Sequence, residues 1–250
     1  MAKISGLGAA AFVGGVDLSG DFGAVNTIKG SHVLQNIRGA DQSAADRLAL
    51  RRDGEISYSA FFNASAGQAH LTLSALPRTD VQMQVLPVGG ASAGLVAAAM
   101  VAKQIGYDTA EGEDGSLLAT VQGLGNAQGL EWGVLLTTGK QTLTAAGNGS
   151  NVDDLAGSPT STAFGCAAYL QCFGLTGTSA TVTIQHGTLT SNYAAIGGGL
   201  AFAAATGVTS ERIASSATET INRHLRVAVT GTFSSFIFSV VIVRYRAAIS

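Results

Sequence analysis

The side chains that could do chemistry are few and widely spaced in this chain. Its four histidines occur singly, as His32, His70, His186 and His224. Cys166 and Cys172 are six residues apart, which is neither a metal-ligand spacing nor a disulfide framework. We expect two buried thiols on the same face of one segment. No nucleophile, base or acid is paired by local spacing, so the sequence predicts no enzyme.

Two short motifs point to ligands only weakly. Gly6-x-Gly8-x-x-Ala11 is a loosened dinucleotide fingerprint, but five residues precede it, too few for the strand that this motif requires. Glu111, Glu113 and Asp114 do not have the ligand spacing of a calcium-binding loop, which favours a solvated turn. We therefore expect no cofactor and no metal.

The overall composition indicates a neutral surface. Charged residues make up 12% of the 250 residues, against roughly 25% in a typical soluble domain. Either the monomer has an unusually neutral surface, or other subunits cover part of it. The net charge of −2 and the lack of basic runs argue against tight nucleic-acid binding but are compatible with a passive channel for DNA. No apolar run reaches membrane-spanning length.

A hairpin is predicted around the acidic segment. Its arms are residues 100–108 and 116–123, and its polar tip is residues 111–115, where glycines and aspartate suit a tight reversal. Residues 91–105 are ambiguous, because their composition favours a helix while the hairpin requires a strand from about Met100. The residues that we single out as lumen or ring-contact candidates are Lys103, Gln104, Tyr107, Asp108, Glu111, Glu113, Asp114 and Gln122.

A second segment, residues 29–52, lacks periodicity and is predicted to be a long polar loop, with a short helix from Gln42 as an alternative. Loops of this length are often functional or become ordered against a partner. Its candidate contact residues are Asp41, Asp46, Arg47, Arg51 and Arg52.

The other elements of the first half suggest a sheet that carries one helix. We predict a bent strand over 13–28, a strand over 55–62 and a helix over 66–76 that is capped by Ser65 and stopped by Pro77. A strand follows over 79–86, and a strand pair over 133–144.

The second half has the pattern of an all-β sandwich. Its six candidate strands cover residues 163–173, 180–186, 200–204, 211–214, 220–229 and 233–245. Arg223, Arg226, Arg244 and Arg246 are expected to pair with acidic groups or line an interface. The predicted fold is therefore mainly β (α+β), with an N-terminal domain over 1–147, a linker over 148–158 and a C-terminal β-sandwich over 159–250.

Several short stretches together resemble the tail tube (major tail) proteins of long-tailed, non-contractile bacteriophages, most of all phages that infect actinobacteria. They are Val16-Asp-Leu-Ser-Gly-Asp21, Asp53-Gly-Glu-Ile-Ser57, Lys103-Gln-Ile-Gly-Tyr-Asp108, Asp114-Gly-Ser-Leu117 and Gly129-Leu-Glu-Trp-Gly-Val-Leu-Leu-Thr-Thr-Gly139. The resemblance covers roughly the first 145 residues, and the cluster from Lys103 to Gly139 is its most specific part.

The resemblance implies a structural virion protein of the phage tail that self-assembles in the host cytoplasm into stacked rings around a lumen for DNA ejection. The ring it implies is a hexamer, or a trimer if the second half duplicates the tube fold. The hairpin would then be inner wall and residues 29–52 an inter-ring arm. The implied partners are further copies, the tape-measure protein, tail-tip or terminator proteins and the passing phage DNA.

An alternative from another class stays open for the second half. The C-terminal sandwich could be a surface decoration or adhesin that binds a host glycan, and exposed aromatic side chains would be its marker.

Overall fold

The computed structural model describes residues 8–41, 43–76 and 79–247. The first half contains β1 (Ala10–Val13), β2 (Val16–Asp17), β3 (Phe22–Asn36), β4 (Arg47–Phe61), α1 (Ala69–Leu73), β5 (Val81–Leu86), β6 (Val96–Glu111), β7 (Leu117–Gly125), β8 (Glu131–Leu135) and β9 (Gln141–Leu143). The second half contains β10 (Gly147–Asn148), β11 (Val152–Asp153), β12 (Ser161–Thr162), β13 (Cys166–Gly187), β14 (Ala194–Ala195), a 3-10 turn (Ile196–Gly198), β15 (Thr209–Ala214), β16 (Ile221–Asn222) and β17 (His224–Arg244). The mainly β prediction is confirmed.

Fifteen of the strands within the described residues join in one sheet system whose main path is β14-β13-β17-β8-β6-β5-β1-β2. The strands β3, β4 and β7 branch from it, because β7 pairs with β6 on one side and with β4 on the other. Strand β8 pairs with both β6 and β17, and so links the two halves of the chain.

Three apolar clusters stabilise this arrangement. One lies in the first half beneath α1 and includes Ile56, Tyr58 and Leu73. Another fills the second half between β13, β17 and the segments that cover them. The third lies between the halves and includes Phe12, Leu86 and Tyr169. Apolar packing therefore continues from one half to the other.

The alanine-rich start of β6 is a strand because it is buried on both faces. Ala98 and Met100 belong to the first-half cluster, while Ala97 and Ala99 belong to the cluster between the halves. Small side chains let two layers approach one backbone, and this tertiary packing overrides the helical preference of alanine. The strand begins at Val96, earlier than the predicted start at Met100.

The predicted helix is present but shorter than expected, and the predicted cap is wrong. Gln68 occupies the N-cap without a capping side-chain bond. Instead the Ala69 amide donates to Asp21 Oδ2 at 3.0 Å, so a carboxylate from the β2–β3 connection satisfies an amide that the helix leaves unpaired. The predicted helix stop depended on Pro77, and the alternative short helix depended on Gln42. Both residues lie outside the described residues.

Three further predictions need correction. Residues 29–52 are not a loop, because β3 and β4 pair through most of this range. Four of the six C-terminal strands merge in pairs into β13 and β17, and residues 200–204 contribute only the isolated bridge of Ala201 with Thr183. The strands in 133–144 do not pair with each other, since β8 and β9 each pair with β17.

The division into 1–147, 148–158 and 159–250 stays a prediction. Within 148–158, Asn148 pairs with Ala228, and Val152 pairs with Leu225 of β17. The segment therefore lies along the longest strand of the second half.

Candidate assembly surfaces

The first candidate surface is the outer face of the sheet formed by β3, β4, β7 and β6. Directly opposed residues of antiparallel strands point to the same side, so the register defines this face. Two rows cross the four strands: Ala24, Ser59, Thr120, Asp108 and Thr27, Ser57, Gln122, Gly106. The row between them consists of Val25, Tyr58, Val121 and Tyr107, which pack on the first-half cluster. These two rows therefore consist mainly of small polar side chains, while the next row of the same face, Lys29, Glu55, Leu124 and Lys103, carries three charged side chains.

The β6–β7 hairpin is confirmed, and the structure separates its candidate residues into two groups. Gln104 is buried and donates to the Leu73 carbonyl at 2.6 Å, which satisfies an acceptor at the end of α1. The Tyr107 hydroxyl lies 3.0 Å from His70 Nδ1, on the same helix. These two side chains support α1 rather than the outer face.

The other strand candidates of this hairpin have exposed or half-buried positions. Lys103 forms a 2.7 Å ion pair with Asp80. Gln122 Nε2 donates to Glu55 Oε1 at 2.8 Å across β7 and β4. Asp108 is exposed on the outer face, opposite Thr120.

The tip of this hairpin is an ordered acidic turn. Gly115 has a φ of +78°, and the Gly112 amide donates to the Ser116 carbonyl at 2.7 Å. The Ser116 hydroxyl and amide both donate to Asp114 Oδ1, and these bonds lower the pKa of Asp114. Asp114, Glu111 and Glu113 are all exposed, so the turn presents negative charge to solvent.

The second candidate surface is the distal part of the β3–β4 hairpin, which we call the arm (residues 29–52). At its base Gly30 and Gly54 face each other across the strands, beside Leu130. A Cβ on Gly54 would lie 2.4 Å from the Leu130 amide nitrogen, so only glycine permits this approach. Arg52 completes the base by donating to the Leu130 carbonyl at 3.3 Å.

Beyond this base the arm projects into solvent. Arg47 and Arg51 lie on β4 and are exposed. Asp41 and Asp46 lie in the exposed connection between β3 and β4, where the Ile37 amide donates to the Asp46 carbonyl at 3.0 Å. Large apolar side chains are exposed with them: Leu34 (59%), Ile37 (49%), Leu48 (48%) and Leu50 (41%). A two-stranded ribbon that exposes leucines on both strands is typical of an element that packs on a partner.

The structure places the histidines and cysteines in structural contacts. His224 Nδ1 lies 3.1 Å from Asn151 Oδ1, and His186 Nδ1 accepts from the Asn222 amide at 3.2 Å. Both cysteines are free and buried on one face of β13, as predicted.

Among the described residues, no three His, Cys, Asp or Glu side chains are grouped as a metal site would require. No helix in those residues has the length and hydropathy of a membrane span.

Two of the C-terminal arginines pair with acidic groups, as predicted. Arg244 forms a buried bidentate pair with Asp154, at 2.7 and 2.8 Å. Arg223 pairs with Asp153 at 3.3 Å. Arg226 stacks on the Tyr193 ring at 4.0 Å, and Arg246 donates to the Asp154 carbonyl.

The sequence interpretation missed a polar cluster between the halves. Glu131 is 1% exposed and accepts from Tyr169, from Tyr245 at 2.6 Å and from Arg212 at 3.1 Å. Burial and the neighbouring carboxylate raise the pKa of Tyr169. A lone glutamate inside the apolar strand of residues 130–136 was the available signal, because such a charge requires partners when buried.

The marker of the glycan-binding alternative is largely absent from the second half. Tyr169, Phe202, Phe236 and Phe238 are buried, while Phe164 is 36% exposed. These aromatic side chains serve mainly as core.

Comparisons with known proteins give little further help. No family model and no curated protein matches the chain. A chain of the anti-feeding prophage baseplate, solved by cryo-EM with six-fold symmetry, is 15% identical with a TM-score of 0.36, over 50% of this chain and 89% of that chain. The Dit protein of phage SPP1, described as a paradigm of hub adsorption apparatus in phages that infect Gram-positive hosts, is 12% identical with a TM-score of 0.34, over 94% and 99%. Neither likeness is close enough to carry an argument.

The fold and its surfaces define a class by themselves. This is a mainly β protein with a continuous packed core, a neutral polar sheet face and a projecting arm with exposed leucines.

Proposed function

We propose that this protein is a structural subunit of a phage tail that polymerises into stacked rings and forms the tail tube. The single observation that carries the proposal is the arm, a two-stranded ribbon whose distal half exposes the large apolar side chains Leu34, Ile37, Leu48 and Leu50. The sequence resemblance to tail tube proteins, most of all those of actinobacterial phages, supplies the kind of assembly.

The outer face is the proposed wall of the lumen. Its rows of alanine, serine, threonine and glutamine carry one charged residue, Asp108. DNA binds proteins mainly through basic groups that neutralise phosphates. The two lysines at the edge of this face are matched by acidic residues, since Lys29 lies opposite Glu55 and Lys103 pairs with Asp80, so the face has little net positive charge to hold the DNA. A carboxylate at Asp108 adds mild repulsion, which suits a conduit for genome delivery.

The ring is proposed to form by pairing of sheet edges. Among the described residues, β3 pairs with β4 on one side and leaves its other edge unpaired. Open edges add strands from other chains, and a closed ring removes the edges. The proposed ring is a hexamer, with a trimer as the alternative if the second half contributes its own wall strands.

The remaining parts of the proposal follow from this role. The protein would assemble in the host cytoplasm and reside in the virion, without a cofactor, an enzymatic activity or a membrane partner. Its partners would be other copies, the tape-measure protein, the tail-tip or terminator proteins and the DNA that passes through the lumen.

Electron microscopy of the purified protein tests the proposal. At high concentration, with tail-assembly partners added if needed, we expect rings or hollow tubes whose inner surface is the outer face of β3, β4, β7 and β6. A monomer that persists under both conditions would contradict the proposal.

A further inference from the structure

The arm and the acidic turn leave the same sheet at opposite ends. Strands β4 and β7 are antiparallel and pair from Glu55 with Leu124 to Phe61 with Leu118. The arm continues β4 backwards beyond Glu55, whereas the acidic turn precedes β7 at the end where Phe61 lies. At about 3.3 Å per residue, the strands of the arm extend roughly 20 Å past its base.

The two ends carry opposite charge. Beyond its base the arm carries Arg38, Arg47 and Arg51 against Asp41 and Asp46, a net charge of +1, and Lys29 and Arg52 at the base raise the net charge to +3. The turn and the adjacent part of β6 carry Asp108, Glu111, Glu113 and Asp114, and the sequence has no lysine or arginine between Lys103 and Lys140. Hydrogen bonds from Ser116 keep Asp114 in its charged form.

Exposed apolar groups accompany the charge at both ends. Next to the acidic turn, Phe61 is 51% exposed, Phe62 36% and Leu117 40%. Phe62 and Leu117 lie together, since the Phe62 amide donates to the Leu117 carbonyl at 3.0 Å and the Phe62 ring lies 4.4 Å from the His70 ring of α1. Phe61 follows Ser59 on the outer face, so exposed apolar side chains border the turn on both faces of the sheet. We call these three side chains and the acidic turn the acidic end. The arm offers leucines for the apolar side chains and arginines for the carboxylates.

We infer that the arm of one copy docks on the acidic end of a second copy, in a head-to-tail contact that sets the direction of stacking. The inference rests on the proposed self-assembly and adds its receiving surface. Two arms facing each other would bring like charges together, and so would two acidic ends. A contact between two different surfaces of one chain either closes into a ring or propagates along an axis. Because the arm and the acidic end lie at opposite ends of the sheet, we expect this contact to propagate along the strand direction.

Site-specific cross-linking tests the contact without requiring a complete tube. One variant carries Ala45→Cys near the tip of the arm, and the other carries Ala110→Cys beside the acidic turn. Both positions are exposed, and neither substitution changes a charge. The native thiols are buried, and burial raises the pKa of Cys166 to about 11, so the wild-type protein serves as the unreactive control.

A short bismaleimide is added to the mixed variants and to each variant alone. We expect the mixture to give about tenfold more cross-linked dimer than either single variant, because complementary charge favours the mixed contact. Arg38→Glu with Arg47→Glu in the Ala45→Cys chain should abolish this excess. Mixing that charge-reversed chain with an Ala110→Cys chain that carries Glu111→Lys and Glu113→Lys should restore it. As a control, Arg246→Glu in the Ala45→Cys chain should leave the excess unchanged.

The outcomes separate this inference from the proposed function. Tubes of wild-type protein without preferential cross-linking of the mixture would overturn the inference and leave the proposed function standing. Preferential cross-linking without rings or tubes would support the head-to-tail contact and contradict the tube. If neither is observed, both are wrong.

Discussion

The molecule contains two long antiparallel ribbons with opposite surroundings. Strands β13 and β17 pair from Cys166 with Arg244 to Gly187 with His224, and for much of that length they are buried on both faces. Strands β3 and β4 form a second long ribbon, from Phe22 paired with Ala60 to Asn36 paired with Arg47. In its distal part, from Gly54 towards Arg47, the side chains are mostly exposed. Backbone pairing alone therefore does not define the role of a ribbon. The first ribbon stabilises the fold, whereas the distal part of the second is exposed and contacts other copies under the proposed function.

The difference predicts that mutations in the two ribbons will affect different measurements. Changes in β13 and β17 should reduce the free energy of unfolding, while changes in the arm should reduce assembly and leave the fold intact.

The largest effect on folding is expected from Phe238→Ala. Phe238 is fully buried and stacks on Phe236, with ring centroids 4.4 Å apart. Removing such a ring leaves a cavity and costs about 3–5 kcal/mol. Chemical denaturation should show this loss, and Phe238→Leu should lose less. A cost below 1 kcal/mol would mean that this ribbon is not the stabilising one.

Glu131→Gln is expected to have the next largest effect. The change keeps the shape but removes the charge that partners Arg212, which is itself largely buried. Hydrogen bonds to charged groups contribute about 1.5–3 kcal/mol each, so the loss should fall in that range. The exposed pair of Lys140 and Asp17 provides the control, since Lys140→Gln should cost below 1 kcal/mol. Equal costs for both variants would contradict the role of the cluster.

Alkaline pH should weaken the fold through buried tyrosines. Burial raises the pKa of Tyr58 above its ordinary value of 10.0. Above pH 10 the unfolded chain loses this proton while the folded chain keeps it, so the free energy of unfolding falls by up to about 1.4 kcal/mol per pH unit for this group. Below pH 10 the tyrosine causes no such slope.

Tyr58→Phe isolates this contribution. The Tyr58 hydroxyl is buried and has no hydrogen-bond partner among the described residues, so its removal should cost little or even stabilise the fold at pH 7. Denaturation of the variant between pH 9 and 11 should show a smaller slope than wild type. An unchanged slope would place the alkaline loss at other groups.

The smallest effect on folding is expected in the arm. Leu48→Ser removes an exposed side chain, and exposed substitutions usually change the free energy of unfolding by less than about 0.5 kcal/mol. The same substitution should impair assembly, as measured by sedimentation velocity. Thr188→Ser, in the exposed segment after β13 and outside both candidate surfaces, provides a control that should assemble normally. A strongly destabilised Leu48→Ser chain would show that the arm packs within its own subunit.

The sequence predicts elements where one face is buried and turn residues are distinctive. Glycine and aspartate locate the β6–β7 turn, and the alternation of Leu225, Val227 and Val229, and then of Phe236 and Phe238, predicts the two segments that β17 joins. The arm lacks a periodic pattern because neither of its faces is buried within the subunit, so it resembles a loop. The start of β6 is obscured for the opposite reason, because both faces are buried and alanine fills them.

The polar contacts that hold the fold together depend on residues far apart in the chain. Glu131 meets Arg212, and Asp21 caps a helix that begins 48 residues later. Periodicity describes one segment at a time and does not predict which segments meet. The opposite directions of the arm and the acidic turn likewise follow only from the pairing of β4 with β7.

The most direct test of the account shortens the arm and observes assembly and folding together. Residues 33–51 are replaced by Asn-Gly, a two-residue turn that keeps the His32 and Arg52 pair at the base. We expect electron microscopy to show no tubes under conditions where the wild-type protein forms them, while the thermal unfolding midpoint stays within a few degrees. Normal tubes from the shortened chain, or a chain that no longer folds, would contradict the claim that the arm serves assembly and not the fold.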